Sequence, residues 1–141
     1  MDHITYEKGI VMLPVLHSAV AVGASPLTDL SVETLVAGAK RIAFQITGTG
    51  ITTRSAVFTV TVSYDGGTTY QAYAMLISNL ANAKTEDITR VASVTLAATG
   101  TTVCFMDPIT LGTITHIKTS LVITDTGTPA GTFTVKASIM Y

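Results

Sequence analysis

Ser55-Ala56-Val57-Phe58-Thr59-Val60-Thr61-Val62-Ser63-Tyr64 is the stretch that decides the fold. Ala56, Phe58, Val60, Val62 and Tyr64 fall on one side of an extended chain, and Thr59, Thr61 and Ser63 on the other. An apolar residue at every second position, with β-branched residues in both rows, is the pattern of a half-buried strand. Thr suits the outer row because it fits a pleated surface and pairs across strands. The same alternation runs through residues 40–49, with Ile42, Phe44 and Ile46 opposite Arg41, Ala43, Gln45 and Thr47. It returns in residues 132–141, with Phe133, Val135, Ala137, Ile139 and Tyr141 opposite Thr134, Lys136, Ser138 and Met140. These three stretches predict a core containing Phe44, Ile46, Phe58, Val60, Val62, Phe133 and Val135.

Weaker strand signals lie outside them. Residues 88–97, 101–106 and 113–124 are rich in Thr, Val and Ile, and residues 11–22 read as one or two strands broken at Pro14, which cannot donate to a ladder. Turn signals separate these segments: Gly48-Thr49-Gly50, Asp65-Gly66-Gly67, Thr99-Gly100, Asp107-Pro108 and the run 125–131. Residues 29–37, with Asp29 or Ser31 as N-cap, predict one or two helical turns. In residues 71–83 the spacing of Ala72, Leu76 and Leu80 is helical, but the preceding turn predicts a strand to Ile77 and then a loop. The expected architecture is an all-β antiparallel sandwich, jelly-roll-like, of about eight strands. Residues 1–141 form one domain, with 1–22 as an N-terminal arm or edge strand.

Composition narrows the classes of function. The chain has 141 residues, with 48% hydrophobic and only 12% charged, against roughly 25% charged in an average domain. Mean hydropathy is +0.51, which excludes a disordered chain. A net charge of -1 argues against electrostatic nucleic-acid binding. The surface chemistry rests instead on 26 Thr and 9 Ser. The apolar run 10–24 mimics a signal peptide, but a basic leader is missing and Pro14 and His17 interrupt the run, so it is read as mature sequence. It is also shorter than the roughly 20 residues a bilayer span requires, and no membrane partner is expected.

No residue is assigned to catalysis, a cofactor or a metal. Cys104 has no second cysteine and reads as a small buried hydrophobe. His3, His17 and His116 lack metal-ligand spacing. Asp125, Thr126 and Thr128 in one loop, and Asp65 in another, do not form an EF-hand pattern. Gly48-Thr49-Gly50 lacks both the third glycine and the following helix of a nucleotide site. The nine acidic residues mostly fall in turns, and no pair stands out as an acid–base couple.

Residues 63–70, Ser63-Tyr64-Asp65-Gly66-Gly67-Thr68-Thr69-Tyr70, resemble the Asp-box hairpin, with Tyr70 where Trp is more usual. The motif implies that Asp65 accepts from backbone amides inside the turn while Gly66 and Gly67 take positive φ. Tyr64, Tyr70 and Tyr73 gather near this hairpin. They read as cross-strand packing, or as stacking surfaces for sugar rings.

With so few charges, a soluble monomer lies close to its solubility limit, whereas an assembly component hides surface in contacts. The chain resembles the small β-sandwich structural proteins of tailed-bacteriophage virions. The resemblance rests on residues 39–48, on residues 58–64 leading into Asp65-Gly66-Gly67, on residues 113–123, and on residues 131–137. It implies a non-enzymatic virion part, foremost a capsid decoration (cement) protein or else a neck or tail component, located in the virion. Its implied partners are further copies of itself and a major capsid or other virion protein. The alternative reading is a glycan-binding or adhesin-type β-sandwich module.

Overall fold

The computed structural model describes residues 3–6, 9–20, 26–79 and 87–141. The chain runs through β1 (His3–Tyr6), β2 (Gly9–Met12), β3 (Val15–Val20), β4 (Leu27–Leu30), β5 (Thr34–Leu35) and β6 (Arg41–Ser63). It continues through β7 (Gln71–Tyr73), β8 (Met75–Asn79), β9 (Asp87–Val91), β10 (Val94–Leu96), β11 (Gly100–Phe105), the short helix α1 (Pro108–Leu111) and β12 (His116–Met140). The all-β expectation holds at this level, and every strand pairing among the described residues is antiparallel.

The expected count of about eight strands is corrected. Among the described residues, twelve strands join one hydrogen-bonded sheet, built around β6 and β12 of 23 and 25 residues. Segments 40–49 and 55–64, expected as separate strands, are the two halves of β6. Segments 113–124 and 132–141 contribute the two halves of β12. The two long strands pair from His116↔Ser63 to Met140↔Arg41, with register shifts only between Asp125 and Thr132.

This sheet doubles over. Phe44 and Phe58 lie on the same strand, yet their ring centroids are 5.2 Å apart. On a straight strand they would be separated by about 46 Å, at 3.3 Å per residue. The fold line is where β6 and β12 slip in register, and Gly50, Thr53, Gly127 and Gly131 all have positive φ there. A Cβ on Gly131 would lie 2.6 Å from the Thr49 carbonyl oxygen, so only glycine fits this approach. On one side of the fold line, β11, then β8 and β9, extend the sheet from β6, while β2 and β3 flank β12. On the other side, β7 and β10 flank β6, and β4 and β5 flank β12.

Apolar rows from both halves meet between them. All seven expected core residues are buried, at 1% exposure or less. Tyr64 departs from the expectation: it is exposed, and Ser63 is buried in its place. The helix expected in residues 29–37 is absent, because β4 and β5 pair there with β12. The helix that does form follows Asp107-Pro108, read above as a turn: Asp107 caps it by accepting from the Ile109 N–H, and Pro108 sits where no N–H is required.

Residues 11–22 do break at Pro14, into β2 and β3. Both pair with β12, and Val11 and His17 are buried, so this stretch belongs to the sheet, with β3 at an edge and β2 between β1 and β12. Residues 1, 2, 7, 8, 21 and 22 of the expected arm lie outside the described residues, as do residues 80–83 of the loop expected after Ile77. No described helix is long and apolar enough to cross a membrane.

Candidate functional site

The hairpin between β6 and β7 is built as its sequence requires. Asp65 Oδ1 accepts from the backbone N–H of Thr69 at 2.9 Å and of Thr68 at 3.2 Å, and from the Ser63 hydroxyl at 2.7 Å. The Ser63 oxygen in turn accepts from the Gly67 N–H at 2.9 Å and the Asp65 N–H at 3.3 Å. Donation to the charged carboxylate, first from Thr69 and then from Ser63, holds the Asp65 pKa down to about 2. Gly66 and Gly67 adopt φ of 76° and 91°. All of Asp65's described bonds serve the turn, so its role is structural.

A polar cluster lies beside this hairpin. Glu33, between β4 and β5, accepts a short hydrogen bond from the Tyr70 hydroxyl. It also lies 3.7 Å from His116 Nε2 and 4.0 Å from Lys118 Nζ. The Lys118 ammonium sits 4.2 Å from the Tyr70 ring centroid, in the cation–π position. Burial, followed by the adjacent Glu33 carboxylate, pushes the Tyr70 pKa up to about 12. Sequence reading missed Glu33 and Lys118, since neither carries a local motif.

The three tyrosines do not form one platform. Tyr70 is held by Glu33 and Lys118, and Tyr64 is exposed. Tyr73 is buried, where its hydroxyl accepts from the Asp107 N–H at 2.8 Å and bonds the Thr110 hydroxyl at 2.7 Å. Asp107 also takes Arg90 at 2.5 Å, and its carboxyl is held below the usual range, first by the Ile109 N–H and then by Arg90.

Asp125, weighed above as a cation ligand, is committed elsewhere. Arg54 donates to it twice, Nε to Oδ1 at 2.7 Å and Nη2 to Oδ2 at 3.2 Å, and donates a third bond to the Gly131 carbonyl. This bidentate pair lies largely out of water at the fold line.

His17 is fully enclosed. Its Nδ1 lies 2.5 Å from Asp29 Oδ2 and its Nε2 2.8 Å from Thr119 Oγ1, and Thr119 donates onward to Ser31 at 2.7 Å. Its ring meets Phe58 edge-on at 6.3 Å. Carboxylate, imidazole and hydroxyl come in the order used by nucleophilic triads. Thr119, however, is 2% exposed and bonded on both sides, so the hydroxyl has no path to a substrate. The chain of bonds instead fastens β3 and β4 to β12.

Cys104 is buried against Met75 Sδ at 3.6 Å, and burial pushes its pKa up to about 12, which describes an inert thiol. The His3 side chain lies outside the described residues. Among the described residues, no cluster of three His, Cys, Asp or Glu is placed to hold a metal. Every buried side-chain nitrogen or oxygen among them has a hydrogen-bond partner. The buried polar side chains among the described residues are therefore occupied in internal hydrogen bonds.

No protein-family model matches the chain, and no curated protein matches it. Among solved structures, the crystal structure of the SPBc2 prophage-derived protein YomS is similar, with a TM-score of 0.59. The likeness covers 98% of this chain and 99% of that one at 13% sequence identity, and at that identity what the two share is the fold.

Proposed function

We propose that this chain is a non-enzymatic structural protein of a tailed-phage virion, foremost a capsid decoration protein that stabilises an assembled shell. The observation that carries the reading is the end-to-end likeness of fold to a prophage-derived protein. The chemistry of the surface supports it. Few charges, many hydroxyls and buried polar side chains committed to internal bonds suit a building block better than a catalyst. In this reading the two facing halves of the doubled sheet act as a jelly-roll-like β-sandwich, with strand edges and loops as contact surfaces. Its partners are further copies of the chain and a major capsid or other virion protein, without nucleic acid or membrane. The mechanism is mass action: a subunit that binds only the assembled lattice lowers the free energy of that lattice.

Tyr70, with Lys118 over one face of its ring, is the feature that favours the second reading, a glycan-binding module. Mass spectrometry of purified particles separates the two. The structural reading expects this chain in tens to hundreds of copies per particle. Its absence from particles that carry the rest of the virion would overturn that reading.

A further inference from the structure

The lysines and arginines among the described residues divide into two sets. Arg54, Arg90 and Lys118 each have a carboxylate within 4.0 Å, from Asp125, Asp107 and Glu33. Lys40, Arg41 and Lys136 have no acidic partner among the described residues. Arg41 and Lys136 share one surface. The register of β6 against β12 sets Arg41, Ala43 and Gln45 opposite Met140, Ser138 and Lys136. On the other side of β6, β11 sets Phe105 and Val103 opposite Ala43 and Gln45. This face points away from the core, because the alternate residues Ile42, Phe44, Ala137 and Ile139 are the buried ones.

Two open grooves cross this face and meet over the small side chains of Ala43 and Ser138, which line both. One, of about 550 Å3, runs against Leu13, Val15 and Val103 and has Lys136 in its wall. The other, of about 460 Å3, runs against Phe105, Pro108 and Met140 and has Arg41 in its wall. No carboxylate lines either groove. Asp107, between the lining residues Met106 and Pro108, is buried and bound to Arg90. Together the grooves form an apolar trough with an unanswered cation toward each end.

We propose that this trough docks an acidic segment of a partner protein, one with a carboxylate at each end of a short apolar stretch. The inference deepens the assembly reading above by giving the chemistry of the partner, and it rests on that reading for the partner's being a virion protein. Charge complementarity chooses the occupant. The fold answers Arg54, Arg90 and Lys118 with its own acids and leaves the trough's two cations unanswered, so a carboxylate bound there breaks no internal pair. Arg41 suits a carboxylate, whose two oxygens match the planar guanidinium fork. Spacing adds a constraint. Arg41 and Gln45 lie four residues apart on β6, about 13 Å at 3.3 Å per residue, and Lys136 stands opposite Gln45. An extended segment with acids about four residues apart therefore reaches both cations, and the residue midway between them turns onto Ala43 and Ser138. Two cations beside an apolar floor do not suit nucleic acid, which is held through many phosphate contacts.

The test is a nuclear magnetic resonance titration of the nitrogen-labelled full chain with the peptide acetyl-Ser-Glu-Thr-Val-Thr-Glu-Ser-amide. Amide shifts are expected to gather on residues 41–45, 101–105 and 136–140, and binding is expected to weaken as salt rises. Replacing both peptide Glu residues by Gln is expected to raise the dissociation constant at least tenfold. The protein variant R41Q/K136Q is expected to do the same with its thermal melt unchanged, since both side chains are exposed. Lys118→Gln is the control: Lys118 pairs with Glu33 on the other half of the doubled sheet, and this variant is expected to bind as wild type does. Shifts scattered over the chain, or none, would overturn the proposal. So would the Gln peptide binding as tightly as the Glu peptide, a result that needs no change to the protein, or R41Q/K136Q binding as wild type does. An oligothymidylate that binds this face more tightly than the peptide would also overturn it, in favour of nucleic acid. Particle composition is measured separately. Peptide binding by a chain missing from particles keeps this surface and ends the virion reading, whereas a chain abundant in particles that ignores the peptide does the reverse.

Discussion

Two regions carry nearly the same turn chemistry and do opposite things with it. Residues 63–70 place an Asp and paired glycines between Thr-rich strands, and there the chain reverses to pair β7 against β6. Residues 48–54 and 125–131 also combine glycine, Thr and Asp. There both chains bend together and keep pairing, so that two strands become four half-strands of a doubled sheet. The difference lies in what holds the aspartate. Asp65 is claimed by amides of its own turn, three and four residues ahead. Asp125 is claimed by Arg54, 71 positions away on the neighbouring strand. A locally satisfied carboxylate closes a hairpin, whereas one satisfied across the ladder pins two strands side by side.

Breaking the pin is expected to have the largest effect. Arg54→Ala leaves the Asp125 carboxylate without its guanidinium at a site largely out of water, at a cost of about 3–5 kcal/mol. That is a large share of a total stability of about 5–15 kcal/mol, and urea denaturation should show it as a lower midpoint. The double variant R54M/D125L should recover much of the loss, because two apolar residues strand no charge.

Gly131→Ala comes next. Its φ of 95° and the 2.6 Å approach to Thr49 O leave no room for a Cβ, so a loss of about 2–4 kcal/mol is expected by thermal melting. The matching change in the hairpin, Gly66→Ala, meets open space and should cost only the strain of its positive φ, about 1 kcal/mol. A pair of variants with equal losses would erase the contrast between bend and hairpin.

Asp65→Ala should lower the melting temperature by about 2–8 °C at pH 7. The Asp65 pKa is lowered in the folded state, so the stability it contributes is fully present above the unfolded value of about 3.9. That stability is lost as pH falls through about 2. The gap between wild type and Asp65→Ala should therefore narrow between about pH 4 and pH 2. A gap that stays constant over that window would show that the carboxylate charge does not matter to the turn.

What the sequence disclosed follows the reach of each interaction. Alternation is local, so the rows of Phe44, Phe58 and Phe133 were legible, and all three are buried. The Asp65 turn is local as well, and its residues bond as their spacing implies. At the end of β6 the alternation misplaced Tyr64, because Ser63 turns inward to bind turn amides. A periodic pattern does not record that competition. The continuity of β6 and β12 was illegible, since glycines that end a strand and glycines that bend one look alike in a linear text. Arg54–Asp125, His17–Asp29–Thr119 and Glu33–Tyr70 were hidden because each joins residues brought together only by the sheet. His17 offered one clue, as the one ionisable residue within the apolar run 10–24.

The doubling of the sheet is the claim on which the core and the contrast of turns both depend. Double electron–electron resonance between spin labels at exposed Gln45 and at Thr59, on opposite halves of β6, tests it most directly. The fold described here places the labelled strands on facing halves about 10 Å apart, so with linker lengths included the distribution should centre at roughly 20–30 Å. A distribution near about 46 Å, the length of the same span as a straight strand, would contradict it.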